Sequence, residues 1–311
     1  MRHSLFILLS TLRTFHALAQ SMPQPVHHWP LDETTDTLAA DISGGEHGTL
    51  QGGAAWNSAG RFGGAVQFNG ADGRVVAGPC DLTTGPGGIS LSLWMKAGLM
   101  AGSEQVLLAK SDGPGTSGII WSLSQVNSTA IRFRVRAGGN LTELTTPGSS
   151  LFSGSWYHVC GTYNGSEMRI YLNGALMAFT SASGTVPYAP SAPACMGARA
   201  DGAAWFMGAL DDVRIYDHGL TEMDVIGLVL GNVSVGSERP VDMHVDQAGA
   251  LVLPPGDWSH VIVTDVQGRM VHDGHMQSTR STLHLPWQMP GLYVVVLTGP
   301  TQRTCGRVMR L

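Results

Sequence analysis

Residues 155–174 read SWYHVCGTYNGSEMRIYLNG and contain two alternating segments separated by a turn. In the second segment Met168, Ile170 and Leu172 alternate with more polar residues, which is the pattern of a half-buried strand. Asn-Gly at 164–165 tolerates positive φ and predicts a tight hairpin, and Asn-Gly at 173–174 repeats the signal before a third strand. The stretch therefore predicts a β-meander.

Three further blocks stand in a fixed order around this meander. They are DISGGEHGTL at residues 41–50, GRFGGAVQFNG at residues 60–70 and FMGALDDVRIY at residues 206–216. Together with the meander they resemble the laminin-G-like, concanavalin A-like jelly-roll domains. The resemblance covers roughly residues 26–230, within a predicted domain at residues 20–230. It implies an all-β sandwich of two antiparallel sheets.

Composition and the first residues indicate a secreted protein. The chain has 311 residues, 41 glycines, 13% charged residues and a formal net charge of −5, so no electrostatic feature favours nucleic acid or an anionic membrane as a partner. Residues 1–19 combine Arg2, an apolar run and Ala17-Leu18-Ala19, which predicts a signal peptide. That run is too short to span a membrane, and no later stretch is long enough either.

A second, smaller unit is predicted after a linker at residues 231–240. Residues 241–311 predict short strands, with VTDVQGRMV at residues 263–271, a turn at Gln267-Gly268, and PGLYV at residues 290–294. These motifs resemble the C-terminal sorting domain of bacterial type IX secretion cargo, a small Ig-like β-sandwich. The resemblance implies export by the type IX secretion machinery, a location that is extracellular or on the outer cell surface, and a source similar to the Bacteroidota.

Motifs for catalysis are absent from the sequence. No strand carries the E-x-D-x-x-E pattern that would aim two carboxylates into a cleft, and neither G-x-S-x-G nor H-E-x-x-H occurs. The nearest acidic clusters are residues 32–36, in a loop, and Asp211-Asp212, whose side chains are expected to point to opposite faces. We therefore expect a non-enzymatic protein. The alternatives are a glycan hydrolase or lyase and a structural spacer.

A calcium site is the predicted metal centre. Asp41 precedes a glycine-rich loop, and the backbone carbonyls of Gly44 and Gly45 can converge on a hard cation. The resemblance implies that this loop meets the closing strand, which would place Asp41 and Asp211, or alternatively Asp212, around a structural Ca²⁺. The alternative is that Asp41 caps a turn and Asp211 accepts hydrogen bonds from backbone amides.

Aromatic residues in or near loops are the candidate ligand contacts, because ring faces stack on the apolar faces of sugars. They are Trp56, Trp121, Tyr188 and Trp205. The alternative for each is packing beneath its own loop. The leading function is non-catalytic binding of a glycan or a cell-surface protein, with a role in adhesion.

The cysteines, an arginine-rich segment and one histidine give three further predictions. Cys160 and Cys195 are the first choice for a disulfide, with buried free thiols as the alternative. The IRFRVR segment, residues 131–136, places three arginines on one strand face, where they either grip an acidic glycan or pair across strands. His158 is expected to be a packed histidine with its hydrogen bonds satisfied.

Overall fold

The computed structural model describes residues 23–82, 88–98, 104–148, 151–229, 243–246, 249–265, 270–276, 282–285, 291–298 and 303–310. The predicted signal peptide, the linker at 231–240 and the Gln267-Gly268 turn lie outside these residues. Within them the regular secondary structure consists of strands and one short helix. The described helix is too short to cross a membrane.

One antiparallel sheet of the N-terminal unit is called the helix-side sheet, because the helix packs on it. Its strands, in spatial order, are β14 (Ala175–Ser181), β13 (Glu167–Leu172), β12 (Trp156–Tyr163), β7 (Ile89–Ala97), β16 (Met207–Tyr216), β5 (Gly64–Asn69) and β4 (Ala55–Phe62), and β1 (His27–Trp29) also pairs with β16.

The second sheet, called the far sheet, is also antiparallel. Its strands, in spatial order, are β11 (Asn140–Thr145), β10 (Ala130–Ala137), β9 (Ile119–Val126), β8 (Gln105–Ser111), β15 (Ala194–Met196), β6 (Arg74–Val76), β3 (Gly48–Gln51) and β2 (Leu38–Ala39). Many spatial neighbours are distant in sequence, as in a jelly roll. The predicted all-β, concanavalin A-like fold is confirmed.

The hydrophobic core lies between the two sheets. Alternate residues of β7, including Leu91 and Leu93, point into it and meet residues such as Phe133 and Val135 of β10. Because side chains alternate along a strand, the intervening residues of β7 lie on the other face of the helix-side sheet. That second face is called the outer face, and it carries polar side chains.

The Asn-Gly signals of the meander form turns at the predicted places. Leu172 pairs directly with Ala175, and the two residues between them, Asn173 and Gly174, have φ angles of 49° and 84°. Positive φ at both positions matches the twist of the flanking strands in a two-residue hairpin. At the earlier signal, Asn164 Oδ1 accepts hydrogen bonds from the N–H groups of Ser166 and Glu167.

The helix, α1 (Glu222–Val229), begins directly after Thr221, which is its N-cap residue. Thr221 Oγ1 accepts from the Asp224 N–H at 3.2 Å, and the Asp224 carboxylate accepts from the Thr221 N–H at 2.9 Å. The side chain of each residue thus satisfies the backbone N–H of the other, as in a capping box. The apolar side of α1 packs against outer-face residues of the helix-side sheet, including Cys160 and Tyr216. The helix thus covers part of the outer face.

The C-terminal unit has a hydrophobic core of its own, which includes Trp258, Val261 and Tyr293. One sheet contains β17 (His244–Val245), β18 (Ala250–Val252) and β21 (Thr282–His284). The other contains β20 (Met270–His275), β19 (His260–Asp265), β22 (Gly291–Thr298) and β23 (Arg303–Arg310). Two small antiparallel sheets around one core agree with the predicted small β-sandwich.

Candidate functional site

A cleft at the edge of the helix-side sheet brings the first acidic cluster beside a candidate aromatic residue. Its volume is about 400 Å³, which lies within the usual range for small-molecule sites. The lining residues come from the loop after β1 and from the β4–β5 hairpin: Asp32, Glu33, Thr34, Trp56, Ser58, Gly63 and Gly64. The sequence predicted Trp56 as a ligand contact but did not place the 32–36 loop next to it.

The Trp56 ring is held in a fixed orientation within the cleft. Its Nε1–H donates to the backbone oxygen of Asp36 at 2.8 Å, and the side chain is half-buried against the core. The indole nitrogen is already bonded to the protein. A ligand can therefore contact the ring through the exposed part of its surface. A tethered, partly exposed ring of this kind suits stacking on a flat apolar ligand face.

The two carboxylates of the cleft also organise its backbone. Asp32 Oδ1 accepts from the Gly64 N–H at 2.6 Å, and Glu33 Oε1 accepts from the Ala40 N–H at 2.8 Å. Glu33 Oε2 is buried and has no partner among the residues that the structure describes. Gly63 has a φ of 72°, and a Cβ there would lie 2.4 Å from Asp32 Oδ1, so the close approach of hairpin and loop requires glycine.

The wall of the cleft continues into a segment that we call the strap, residues 58–63. It lies over the outer face of the helix-side sheet, where the Arg61 guanidinium carbon lies 4.6 Å from the Trp94 ring centroid. Asp211 Oδ2 accepts from the backbone N–H groups of Arg61 and Phe62 at 2.6 and 2.8 Å. Asp211 thereby fixes the strap to β16.

Burial raises the pKa of the Asp211 carboxyl to about 7, although the hydrogen bonds from Phe62 and Arg61 act in the opposite direction. The prediction that Asp211 and Asp212 point to opposite faces is wrong. A β-bulge lies between Asp211 and Arg214, and Asp212 has a φ of 50°. Leu210 and Val213 both reach the core, so the two aspartates between them lie on the outer face together.

Asp212 belongs to a cluster that joins β1 to β16. Its Oδ1 lies 2.7 Å from His28 Nε2 and 2.9 Å from the Arg214 guanidinium. Burial alone would raise its pKa, but the hydrogen bond from His28 and the charge of Arg214 lower it. The opening loop does meet the closing strand, as the resemblance implied, and the contact runs through the adjacent histidines His27 and His28.

Asp41 holds its own loop together. Its carboxylate accepts from the N–H groups of His28, Ser43, Gly44 and Glu46 at 2.9 to 3.0 Å, and Oδ2 lies 2.8 Å from His27 Nδ1. Burial raises the pKa of Asp41, but these hydrogen bonds outweigh it and bring the value to about 2. The contacts are those of the turn-capping alternative.

The calcium ion proposed at Asp41, Gly44, Gly45 and Asp211 stays a prediction. The N–H groups around Asp41 present hydrogen atoms to the carboxylate, whereas calcium requires converging oxygen atoms. Asp211 likewise binds two N–H groups. Among the described residues, no three histidine, cysteine, aspartate or glutamate side chains are grouped so that they could hold a metal ion. The donor set therefore fits hydrogen bonding better than calcium.

The other candidate aromatics lie away from the cleft. The prediction that Trp121 contacts a ligand is wrong, because the residue is 1% exposed and packs in the core between the sheets. Tyr188 is 68% exposed in the segment before β15. Trp205 is half-buried before β16. Neither lines the cleft.

The predicted disulfide between Cys160 and Cys195 is not formed, and both residues are buried free thiols. Cys160 packs against α1 on the outer face of the helix-side sheet. Cys195 lies in the far sheet, between Ala194 and Met196, which both face the core, and so points away from it. Both sheets therefore lie between the two thiols. Because packed sheets are about 10 Å apart, the thiols are too far from each other to form a disulfide.

The arginine row on β10 is paired within the far sheet. Arg134 donates to Glu143 at 2.7 Å and to Glu104 at 2.5 Å, and Arg132 lies 3.0 Å from Glu143. Arg136 donates to backbone carbonyls. These contacts match the cross-strand alternative rather than a site for an acidic glycan.

Two facing antiparallel sheets with jelly-roll connections define a concanavalin A-like β-sandwich. The family model of the concanavalin A-like lectin/glucanases superfamily matches residues 69–226, and the chain belongs to this family. A comparison with curated protein sequences gives no match.

Solved structures share the fold at low sequence identity. The botulinum neurotoxin serotype D binding domain has a TM-score of 0.52 and 13% identity, over 92% of this chain and 69% of that one. The ligand binding domain of the same serotype in complex with N-acetylneuraminic acid gives 0.52 and 12%, over 90% and 72%. Trypanosoma rangeli sialidase with the inhibitor DANA gives 0.50 and 18%, over 70% of this chain and 35% of the sialidase.

Proposed function

We propose that the chain is a non-catalytic carbohydrate-binding protein whose sugar site is the cleft beside Trp56. The observation that carries the proposal is the presence of a tethered, half-buried indole and two carboxylates in one cleft of about 400 Å³. Sugar recognition needs an apolar surface for the ring face and acceptors for the hydroxyl groups. This cleft provides both.

The carboxylates supply the hydroxyl acceptors. Asp32 and Glu33 both line the cleft. An ionised carboxylate has about four lone-pair sites, so each can accept from a ligand hydroxyl in addition to the backbone amide that it already binds. None of the described lining residues is basic, so the ligand class is a neutral or amine-bearing glycan rather than an acidic one.

The test is binding of the full chain to a glycan array, followed by titration of the best ligand. We expect Trp56→Ala to lose about tenfold or more in affinity, since truncation of a stacking aromatic removes most of its contact area. Phe179→Ser is the matched control, because Phe179 is 65% exposed on the edge strand β14 and does not line the cleft. Unchanged binding by Trp56→Ala would place the site elsewhere. If the protein binds no glycan on the array, the spacer function would be favoured.

One observation favours a hydrolase as the second candidate: Asp32 and Glu33 line the same cleft. Glycosidases use two carboxylates on opposite sides of the scissile bond. Here each carboxylate also holds a backbone amide of its own surroundings, which suits a structural and binding role better. Incubation of any bound glycan with the protein, followed by mass spectrometry of the products, decides between the two. Cleavage of the glycan that is lost in Glu33→Gln would establish that the protein is a glycoside hydrolase.

For the C-terminal unit we propose a role as a type IX sorting domain that directs export and surface attachment. The support is the resemblance of residues 263–271 and 290–294 together with the separate core of this unit. The test compares the full chain with a chain that lacks β23 in a bacterium with a type IX system. We expect the full chain at the cell surface and the shortened chain in the periplasm. Surface display of the shortened chain would refute the role.

A further inference from the structure

Three side chains form a row across the outer face of the helix-side sheet, beneath the strap. His158 on β12 stands directly opposite Trp94 on β7, and Trp94 stands directly opposite Asp211 on β16. Directly opposite residues point to the same face of a sheet. The three residues are 1%, 3% and 0% exposed, so the whole row is buried.

Each member of the row has one polar atom that the described residues leave without a partner. The atoms are His158 Nδ1, Trp94 Nε1 and Asp211 Oδ1. The remaining polar atoms of the row are used, because His158 Nε2 lies 2.9 Å from Ser92 Oγ and Asp211 Oδ2 accepts from two strap amides. Unsatisfied polar atoms on three neighbouring residues are unusual, because each atom loses its bonds to water on burial.

The row is covered from outside by the strap. The guanidinium of Arg61 lies over the Trp94 ring, and the Phe62 ring meets Trp94 edge-on with 5.6 Å between ring centroids. The His158 ring also contacts Trp94, with 5.4 Å between ring centroids. The unpartnered atoms are shielded from bulk solvent.

The chemistry of the three atoms specifies the group that would satisfy them. The indole N–H only donates. Burial lowers the pKa of His158 to about 3, so the ring is neutral, and with its proton on Nε2 toward Ser92 its Nδ1 accepts. Asp211 Oδ1 accepts when ionised. With Asp211 ionised, a ligand must accept one hydrogen bond and donate two. With Asp211 protonated on Oδ1, the ligand must accept two hydrogen bonds and donate one.

We propose that the row binds one ordered water molecule, which accepts from Trp94 and donates to His158 and Asp211. Three hydrogen bonds are typical of buried water in proteins. A cation is disfavoured because the indole N–H and the Arg61 guanidinium face the row, and an anion is disfavoured by Asp211. The water would link three strands through side chains and hold the strap through Asp211. This proposal is independent of the sugar proposal.

The first test is a high-resolution crystal structure of the full chain at neutral pH. We expect density for one water within about 3.2 Å of each of the three atoms. Direct bonds between the side chains, or a peak with the anomalous signal of an ion, would overturn the proposal.

The second test detects the water in solution by NMR. We expect the Trp94 indole proton to show a cross-peak to a long-lived water, and Trp94→Phe identifies its signal by loss of one indole peak. Trp29 is the matched control: its indole is also fully buried, but its Nε1–H donates to the Glu46 carbonyl at 3.1 Å, so no water cross-peak is expected. Failure to see the Trp94 cross-peak while its indole proton is observed would overturn the proposal. If Trp94→Phe does not fold, assignment of the unmodified chain gives the same answer.

Discussion

At the scale of single residues, Asp211 makes stability depend on pH in the direction opposite to most carboxylates. Burial raises its pKa from 3.8 to about 7 in the folded chain. Between about pH 4 and pH 7 the folded state therefore holds the proton more tightly than the unfolded state does. The contribution of Asp211 to stability is greatest below pH 4 and is lost as the pH rises through 7.

We expect Asp211→Asn to be more stable than the unmodified chain at pH 8 and close to it at pH 4.5. The amide removes the buried charge, and its oxygen can still accept from the strap N–H groups of Arg61 and Phe62. The measurement is the difference in Tm between the two proteins at several pH values, because other groups cancel in that difference. A difference that does not grow with pH would contradict the raised pKa.

Asp41 shows the opposite behaviour and bears on the calcium prediction. Its low pKa means that its contribution to stability is present above about pH 4 and is lost as the pH falls toward 2. Since N–H groups already occupy both carboxylate oxygens, we expect a chelator to leave the Tm at pH 7 unchanged. Asp41→Ala, in contrast, should lower stability by about 2 kcal/mol or more through the lost charged hydrogen bonds. A fall in Tm on chelation, restored by calcium, would support the metal site.

At the scale of elements, the two-residue turn between β13 and β14 gives a sharp test of backbone geometry. Gly174 has a φ of 84°, and a Cβ there would still have 3.4 Å to the nearest atom, on Val229. The cost of Gly174→Ala is therefore mainly conformational, about 1 kcal/mol. The matched control is Asn173→Gly, which permits the same positive φ. Thermal unfolding of both variants measures the effect, and equal Tm values would contradict the assigned turn.

The strands of the meander could be predicted because alternation and Asn-Gly turns are local signals. β12 and β13 are examples, since each alternates in sequence and each lies with one face in the core. β4 could not be predicted, because its segment AWNSAGRF has few apolar residues and a register shift between Asn57 and Phe62. The bulge that turns Asp211 and Asp212 to one face also lacks a local signal, since it depends on pairing with β7 and β1.

The candidate site was only partly predictable for the same reason. Trp56 could be proposed as a ligand contact from its residue type and its loop-rich surroundings. Its neighbours Asp32 and Glu33 lie more than twenty residues earlier and reach it through the pairing of β1 with β16 and the fold of the β4–β5 hairpin. Trp121 was wrongly predicted as a ligand contact, because the sequence does not show that its side chain on β9 packs into the core. Long-range pairing, rather than local pattern, assembles the cleft.

At the scale of the whole molecule, charge should select among glycans. The chain has a formal net charge of −5, and the cleft presents the carboxylates of Asp32 and Glu33 with no basic residue among its described lining. A carboxylate on the sugar would meet like charges at short range, which costs about 1 kcal/mol in a hydrated site. We therefore expect a sialylated glycan to bind roughly fivefold more weakly than its neutral counterpart, although a domain with the same fold was solved with N-acetylneuraminic acid.

Two charge-removing variants distinguish the effect of the cleft carboxylates from the effect of the overall charge of the protein. Asp32→Asn should reduce the difference in affinity between the neutral and sialylated glycans, because the variant lacks the negative charge. Its amide oxygen can still accept the hydrogen bond from the Gly64 N–H, so the cleft keeps its backbone contact. Glu222→Gln on α1 removes the same unit of charge from an exposed residue that does not line the cleft, and it should leave the difference unchanged. Titration calorimetry of both variants with a matched pair of glycans, at low and at physiological salt, measures the effect. If the two variants behave alike, selectivity arises from net charge or from another surface, and the glycan would have to be located outside the cleft.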